Sequence, residues 1–257
     1  MTREMNETKQ INITKLNFDT ISIVAKYLNI EDIISMSSTC KFLRNEVDVL
    51  LRGKPITIGY EEITSEETVE KIKSLNLDVT AFFAGPLEEF SFDWIGKITY
   101  MSWDDFDATP FKNIRDVDLS GSMMLSDVSM LGDVHTLNLT ECRNVSDVSM
   151  LGKLHTLNLS RCFGVTDVSM LGNLYALNLT LCNISDVSML GNVYSLDLSY
   201  CINVSDFSML GNVHSLNLTG CYNISDVSMF RNVYVLNLSE CENISDVSML
   251  GNAILVL

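Results

Sequence analysis

A stretch of twenty residues recurs from Val134 to the end of the chain, and it constrains the fold more than any other feature. After the full copy at 134–153, further copies begin at Leu154, Leu174, Val193, Val213 and Val233, and a broken one at Ala253. A short fixed period is typical of a solenoid, in which each unit packs only against its neighbours. The repetition also argues against an enzyme, because every conspicuous polar residue recurs in a row.

Each copy follows the pattern L-x-x-L-x-L-x-x-C-x-x-[VI]-[ST]-D. Leucines alternate with polar residues before the cysteine, which predicts a strand whose Thr136, Asn138 and Thr140 face away from the interior. After the cysteine the chain turns. We expect Gly152 to allow a tight, left-handed turn into the next strand. The side chains predicted to point inward are Leu137, Leu139, Val145, Val148 and Leu151.

One copy cannot fold alone. It buries roughly six or seven apolar side chains, each worth about 1.5–3 kcal/mol, whereas ordering its residues costs about 1.5 kcal/mol per residue. Stacked copies cover each other's apolar faces and pair their strands at a spacing of about 4.8 Å. The sequence therefore predicts a parallel solenoid with one short strand per turn.

This pattern resembles the cysteine-containing leucine-rich repeats over 114–257. The resemblance implies an α/β fold: a horseshoe-shaped parallel-strand solenoid. The back of each copy, Asp-Val-Ser-Met-Leu-Gly, is too short for an α-helix and predicts a 3₁₀ turn or an extended segment on the convex side. Weaker similarity upstream indicates a linker and degenerate repeats over 53–113, behind a short helical domain at 14–52 and a tail at 1–13.

Two rows of side chains could be read as metal sites. The cysteines suggest zinc or disulfides, but they lack the paired C-x-x-C spacing of zinc ligands, so buried, reduced thiols bonded to loop backbone are favoured. The aspartates suggest calcium, but one carboxylate per repeat supplies few ligands, which favours acceptance of backbone N–H bonds at the convex turn. The rows are Cys142, Cys162, Cys182, Cys201, Cys221 and Cys241, preceded by Ser122, and Asp127, Asp147, Asp167, Asp186, Asp206, Asp226 and Asp246. No metal and no cofactor is predicted.

Two further rows carry rings and thioethers. A lone histidine would be a candidate base or ligand, but His135, His155 and His214 share one repeat position with Tyr175, Tyr194 and Tyr234, which favours stacked flat side chains. The methionines are expected to fill gaps on the convex side, with a methionine-rich binding face as the alternative. They are Met130, Met150, Met170, Met189, Met209, Met229 and Met249. No catalytic residue is predicted.

The positions that vary lie on either side of each cysteine, at the strand ends. We call this set the strand-end rim. Aromatic and arginine side chains are common anchors at partner surfaces, so the rim is the candidate site for a target protein, against the alternative of unselected loop variation. The candidate target-binding residues are Arg143, Arg161, Phe163, Leu181, Tyr200, Ile202, Tyr222 and Glu242.

Residues 16–44 do not repeat. Apolar residues at helical spacing, Tyr27-Leu28, Asp32-Ile33 and Cys40-Lys41 give this segment a resemblance to an F-box, with Asn17 where that family usually has Pro and Leu43 where it often has Trp. The alternative is a helical cap on the solenoid. The resemblance implies docking on a Skp-type adaptor through Leu16, Asn17, Ile21, Val24, Leu28, Ile33 and Ile34.

Together these resemblances imply the substrate-recognition subunit of a cullin–RING ubiquitin ligase, with the repeats holding the target. The alternative is a repeat protein that binds a partner with no link to a ligase. The repeats also resemble those of repeat proteins of large DNA viruses of amoebae, which would place the chain in host cytoplasm.

Composition supports an intracellular binding protein. The formal net charge of −16 disfavours nucleic acid and anionic membrane as partners. The polar opening of the chain does not resemble a signal peptide, and no apolar run approaches a membrane span. A cytoplasmic location is therefore expected.

Overall fold

The structure is a computed structural model and describes residues 55–58, 70, 78–83, 95–102, 104–251 and 253–256. The chain divides into two compact units, 1–79 and 80–257. In the first unit the described structure includes strand β1, Pro55–Ile58. The predicted helical domain at 14–52, with every candidate adaptor-binding residue, lies outside the described residues.

The second unit is built on a parallel sheet whose strands follow one another in chain order. The strands are short: β2 has six residues, β3 has four, and each strand from β4 onward has three before the chain turns away. They are β2 Asp78–Phe83, β3 Lys97–Tyr100, β4 Asp116–Asp118, β5 Thr136–Asn138, β6 Thr156–Asn158, β7 Ala176–Asn178, β8 Ser195–Asp197, β9 Ser215–Asn217, β10 Val235–Asn237 and β11 Ile254–Val256.

From β3 to β11 each rung returns through a short 3₁₀ helix, so the predicted 3₁₀ turn is confirmed. In most rungs this turn consists of the tripeptide Ser-Met-Leu, with the leucine buried. The turns span Thr109–Phe111, Ser129–Leu131, Ser149–Leu151, Ser169–Leu171, Ser188–Leu190, Ser208–Leu210, Ser228–Asn232 and Ser248–Leu250.

Equivalent residues of neighbouring rungs pair directly. Leu137 lies opposite Leu157, which lies opposite Leu177. The central leucine of each of these strands is buried, and the residue on either side is half-exposed, as the alternation predicts. The predicted interior residues Val145, Val148 and Leu151 are also buried. The parallel-strand solenoid is therefore confirmed, and its core is shared from rung to rung.

The same pairing extends into the region of weak similarity. Ala81 of β2 lies opposite Ile98 of β3, which lies opposite Val117 of β4. All three side chains are buried. The stacking that the clear copies show thus begins before Val134.

The predicted left-handed turn at Gly152 is wrong. Its backbone is right-handed, with φ −68° and ψ −4°. Glycine is required there for space: a Cβ would lie 2.3 Å from the carbonyl oxygen of Met170 in the next rung. The same close approach recurs along the row, for example between Gly172 and Met189.

Candidate binding surface at the strand ends

The strand-end rim begins with a side-chain turn. In β5 the Oδ1 atom of Asn138 accepts hydrogen bonds from the backbone N–H and the hydroxyl of Thr140, at 3.1 and 2.7 Å. The N–H of Cys142 then bonds to the carbonyl of Leu139 at 2.9 Å, which closes a four-residue turn. The third residue, Glu141, has φ +62°. A positive φ at that place is the type II pattern, which ordinarily favours glycine.

This left-handed position recurs in every rung from Gly121 to Glu240. Glycine occupies it only at Gly121 and Gly220 among these described rungs. The other residues there have φ between 58° and 62°: Glu141, Arg161, Leu181, Tyr200 and Glu240. A side chain in this conformation costs about 1–2 kcal/mol relative to right-handed backbone, a cost that glycine avoids.

The backbone holds these residues in place despite the cost. The N–H of Arg161 donates to the carbonyl of Thr180 at 2.9 Å, and the N–H of Tyr200 donates to that of Thr219 at 2.8 Å. The parallel hydrogen-bond ladder therefore continues past the strands into the turns. Glycine would make the same bonds without the strain of a left-handed side chain.

The rim side chains reach solvent. Phe163, Ile202 and Tyr222, each just after a cysteine, are 41%, 56% and 44% exposed. Ile202 and Tyr222 lie in successive rungs, whereas Asn183 occupies this position between Phe163 and Ile202. Leu181 and Tyr200 are half-buried, whereas the charged members of the predicted target-binding set, Arg143, Arg161 and Glu242, are exposed.

At one end of the rim the charged side chains contact neighbouring rungs. Nη1 of Arg161 lies 2.7 Å from Oε1 of Glu141, in an exposed ion pair worth at most about 1 kcal/mol. The guanidinium carbon of Arg143 lies 5.7 Å from the centre of the Phe163 ring, within cation–π range. These two contacts involve three of the predicted residues, Arg143, Arg161 and Phe163, together with Glu141.

At the other end Tyr200 spans two rungs. Its ring lies against Gly220, where a Cβ would approach ring carbons to 2.5 Å. Its hydroxyl donates to Oε2 of Glu240 at 3.0 Å. This bond to a carboxylate raises the pKa of the Tyr200 hydroxyl. Gly220 therefore serves two needs, the positive φ and the room for the Tyr200 ring.

Asparagines brace the rim from the following rung, a role that sequence reasoning missed. Nδ2 of Asn183 donates to the carbonyl of Phe163 at 3.0 Å, and Nδ2 of Asn243 donates to that of Tyr222 at 2.6 Å. Asn223 bonds to the carbonyl of Ile202 in the same way, at 2.7 Å. The signal was present as an asparagine two residues after the cysteine, at Asn223 and Asn243, or directly after it, at Asn183.

The cysteine row is structural, as expected. The thiol of Cys162 donates to the carbonyl of Leu139 at 2.9 Å, and the other array thiols bond to the equivalent carbonyl of the preceding rung. Burial raises the pKa of Cys142 to about 12 and that of Cys182 to about 11. Such thiols remain protonated at neutral pH and are poor nucleophiles. Ser122 is buried at the same place in the row.

The aspartate row caps the 3₁₀ turns, which confirms the backbone-bonding interpretation. Oδ1 of Asp147 accepts the N–H of Ser149 at 2.9 Å, and the pattern repeats in every rung from Asp127 to Asp246. This bond, followed by a hydrogen bond from the serine hydroxyl, lowers the pKa of each carboxyl. The carboxylates therefore stay ionised at neutral pH.

The ring row forms one continuous stack, as predicted. The centroids of His135 and His155 are 4.5 Å apart and their planes differ by 12°. The stack continues through Tyr175, Tyr194 and His214 to Tyr234, with centroid separations of 4.4 to 5.0 Å. Packing of ring faces accounts for the alternation of His and Tyr.

The methionine row differs from its prediction. Met150, Met170, Met189 and Met209 are 58–59% exposed instead of filling gaps. The 3₁₀ turn has a period of about three, so one residue of each Ser-Met-Leu turn faces the core, and the buried leucine occupies that place. The thioethers consequently lie on the outer surface.

The described part of the chain contains no group of three or more His, Cys, Asp and Glu side chains placed to hold a metal ion. Nor do the described residues include a helix with the length and apolar character needed to cross a bilayer.

Known proteins share this architecture. A scan against protein-family models and a search of curated proteins gave no match. Among solved structures, an internalin (InlF) from Listeria monocytogenes aligns over 88% of this chain and 73% of its own, with a TM-score of 0.58 and 20% identity. The fold is a leucine-rich-repeat solenoid.

Two other structures from the same bacterium align less well. Internalin C2 has 21% identity and a TM-score of 0.40, over 89% of this chain and 91% of its own. The functional domain of InlJ, which includes a cysteine ladder, has 16% identity and a TM-score of 0.40, over 82% and 63%. At these identities the likeness concerns the fold alone.

Proposed function

We propose that the repeat array is a protein-binding module whose partner surface is the strand-end rim. The observation that carries this proposal is the left-handed backbone of Arg161, Leu181 and Tyr200. Each of these residues keeps a side chain where glycine would be more stable. Residues held in such conformations cluster at functional sites. The adjacent exposed side chains of Phe163, Ile202 and Tyr222 supply apolar anchors of the kind that dominate binding energy.

The proposal is for binding and against catalysis. The array thiols have raised pKa values, and the histidines are members of a packed stack. The array thiols donate to backbone carbonyls. Nδ1 of His155 lies 3.1 Å from the hydroxyl of Thr156, but its ring is held face to face with those of His135 and Tyr175.

A triple variant, R161G/L181G/Y200G, tests the site. Glycine relieves backbone strain at each position, by about 1 kcal/mol after allowance for its own entropy cost. We expect the free energy of unfolding to be unchanged or higher, while the partners captured from cell lysate by the full chain are lost. A variant of the strand face, T136A/T156A, is the control and should keep them. Capture by the triple variant equal to that of the unaltered chain would reject the rim.

The finer proposal is that the array delivers its partner to a cullin–RING ubiquitin ligase. It is supported by the F-box-like residues of 14–52 and by the order of that segment before leucine-rich repeats. It would place the chain in the cytoplasm, and in host cytoplasm if the chain is viral. Purified Skp-type adaptor should bind the full chain and not the variants I21D or V24D. Adaptor binding that survives both substitutions, or that is absent from the unaltered chain, would favour a binding module without a ligase.

A further inference from the structure

The outer surface of the 3₁₀ turns carries a second continuous apolar row, on the opposite side of each turn from its buried leucine. In the Ser169–Leu171 turn, Met170 is 58% exposed whereas Leu171 is fully buried. Met189 and Met209 repeat this arrangement in the next two rungs. Neighbouring turns approach closely at the glycine, since a Cβ added to Gly172 would lie 2.1 Å from the carbonyl oxygen of Met189. The thioethers therefore form one stripe rather than isolated exposed residues.

The aspartate row lies on the same surface. A shallow depression is lined by Asp167 and Ser169 of one rung and by Asp186 and Met189 of the next. A second one is lined by Asp107, Asp127 and Met130, among others. We call this surface, made of the methionine row and the aspartate row, the acidic methionine face.

The carboxylates of this face are charged. Hydrogen bonds from serine lower the pKa of Asp167 and of Asp186, so both are ionised at neutral pH. Like-charge repulsion from Asp167 and Asp206 acts in the opposite direction on the pKa of Asp186. Within the described ranges the recorded ion pair is Arg161–Glu141, at the strand-end rim, and no lysine or arginine pairs with the aspartate row.

We propose that the acidic methionine face binds a basic amphipathic helix of a partner protein. Charge complementarity selects the occupant: a row of fixed carboxylates beside an apolar stripe matches a helix with an apolar face flanked by lysine or arginine. Methionine suits such a surface because its unbranched, polarisable side chain adapts to differing apolar partners. The face is separate from the strand-end rim, so this site does not depend on the proposed function.

The spacing of the rungs also favours a helix over an extended peptide. Rungs repeat at about 4.8 Å along the sheet, and a helix rises 5.4 Å per turn. A helix lying along the row offers one apolar side chain per rung with a mismatch of about 0.6 Å, which flexible methionines absorb. In an extended peptide, residues on the same side are about 6.6 Å apart. The mismatch between this spacing and that of the rungs is roughly three times larger than the mismatch for a helix.

Charge disfavours the other occupants. A second copy of this chain would bring two acidic faces together, at a net charge of −16 each. Nucleic acid and anionic membrane are repelled for the same reason. A basic amphipathic segment is the class of partner that can make favourable contacts with both the methionine row and the aspartate row.

The test uses the full chain and a synthetic peptide of about eighteen residues, five helical turns, with leucine on one face and lysine on the other. Binding is followed by fluorescence anisotropy of the labelled peptide. The control peptides are a scrambled sequence of equal composition and an analogue with glutamate in place of lysine. We expect the amphipathic peptide to bind at least about tenfold more tightly than either control.

Two sets of variants locate the site. M170Q/M189Q/M209Q alters only exposed side chains and should weaken the peptide's affinity by about tenfold or more. D167N/D186N keeps an oxygen for each serine N–H while removing charge, and should weaken binding most at low salt. The rim variant L181G/Y200G should bind the peptide like the unaltered chain.

A second readout is oxidation. Dilute hydrogen peroxide converts exposed methionine to its sulfoxide with release of water, and bound peptide should slow this change at Met170, Met189 and Met209. The proposal is overturned if the scrambled peptide binds as tightly as the amphipathic one, if the glutamine variant retains full affinity, or if the peptide leaves the oxidation rates unaltered.

Discussion

Replacing Gly172 by alanine tests the close packing of the rungs. The backbone of Gly172 has φ −67° and ψ −9°, a conformation that alanine adopts without strain. On local grounds alone, alanine would stabilise the chain by about 0.5–1 kcal/mol by reducing the entropy of the unfolded state. The structure predicts the opposite sign, because the new Cβ would lie 2.1 Å from the carbonyl oxygen of Met189.

The cost follows from that distance. Ordinary contact begins at 3.4 Å, so the two turns must separate by roughly 1 Å, in a core where overpacking costs about 1–3 kcal/mol. After the entropy gain, G172A should lower the free energy of unfolding by about 1–2 kcal/mol. This corresponds to a fall in Tm of roughly 2–8 °C for a chain of this size. Urea titration followed by circular dichroism gives the free energy directly.

Arg231 supplies the matched control, since it occupies the glycine's place in its own rung. There the 3₁₀ helix is lengthened to Ser228–Asn232, with Phe230 at φ −87° and ψ 15°, so the backbone already accommodates a Cβ. R231A should change stability by no more than about 0.5 kcal/mol. A G172A chain as stable as the unaltered one would refute the close approach of the turns.

Three further predictions concern the rows and the rim. Burial keeps the array thiols protonated, so they should not react with a thiol reagent at pH 8 in the native chain, whereas all should react in urea. Rapid labelling of the native chain would contradict their burial. The folded chain lowers the pKa of the aspartates, so their stabilising contribution is present above the unfolded pKa of 3.8 and is lost as pH falls through the folded pKa. The variant D167N should therefore lose less stability on acidification than the unaltered chain. An acid titration of stability that is the same for both chains would contradict this prediction. G220A should displace the Tyr200 ring and break its bond to Glu240, seen as altered tyrosine NMR shifts; unchanged shifts would show that the ring does not rest on the glycine.

Periodicity predicted most of the fold. Alternation of Leu137 and Leu139 with polar residues, together with the fixed period, was enough to predict parallel strands, a shared core and buried cysteines. Stacking of rings was predictable because His155 and Tyr175 share a position, and a flat side chain is the property they have in common. These inferences succeed because they depend on which residue types recur, which the sequence displays directly.

Backbone geometry was less accessible. Gly152 was expected to turn left-handed, but its neighbour in space is Met170, and only the packed rungs show that contact. The left-handed residue is instead the one before each cysteine, and Gly121 and Gly220 in that row were the available signal. Exposure of Met150 was missed because its leucine neighbour takes the single inward position of the turn.

The central claim is that the copies are parallel rungs in register, and NMR measures this directly. Nuclear Overhauser effects between paired strand protons should connect Thr136 to Thr156 and Thr156 to Ala176. The amide protons of Leu139 and Leu159, which bond to the next rung, should exchange slowly. Helical contacts through these segments, or strand contacts offset by a residue, would contradict the account.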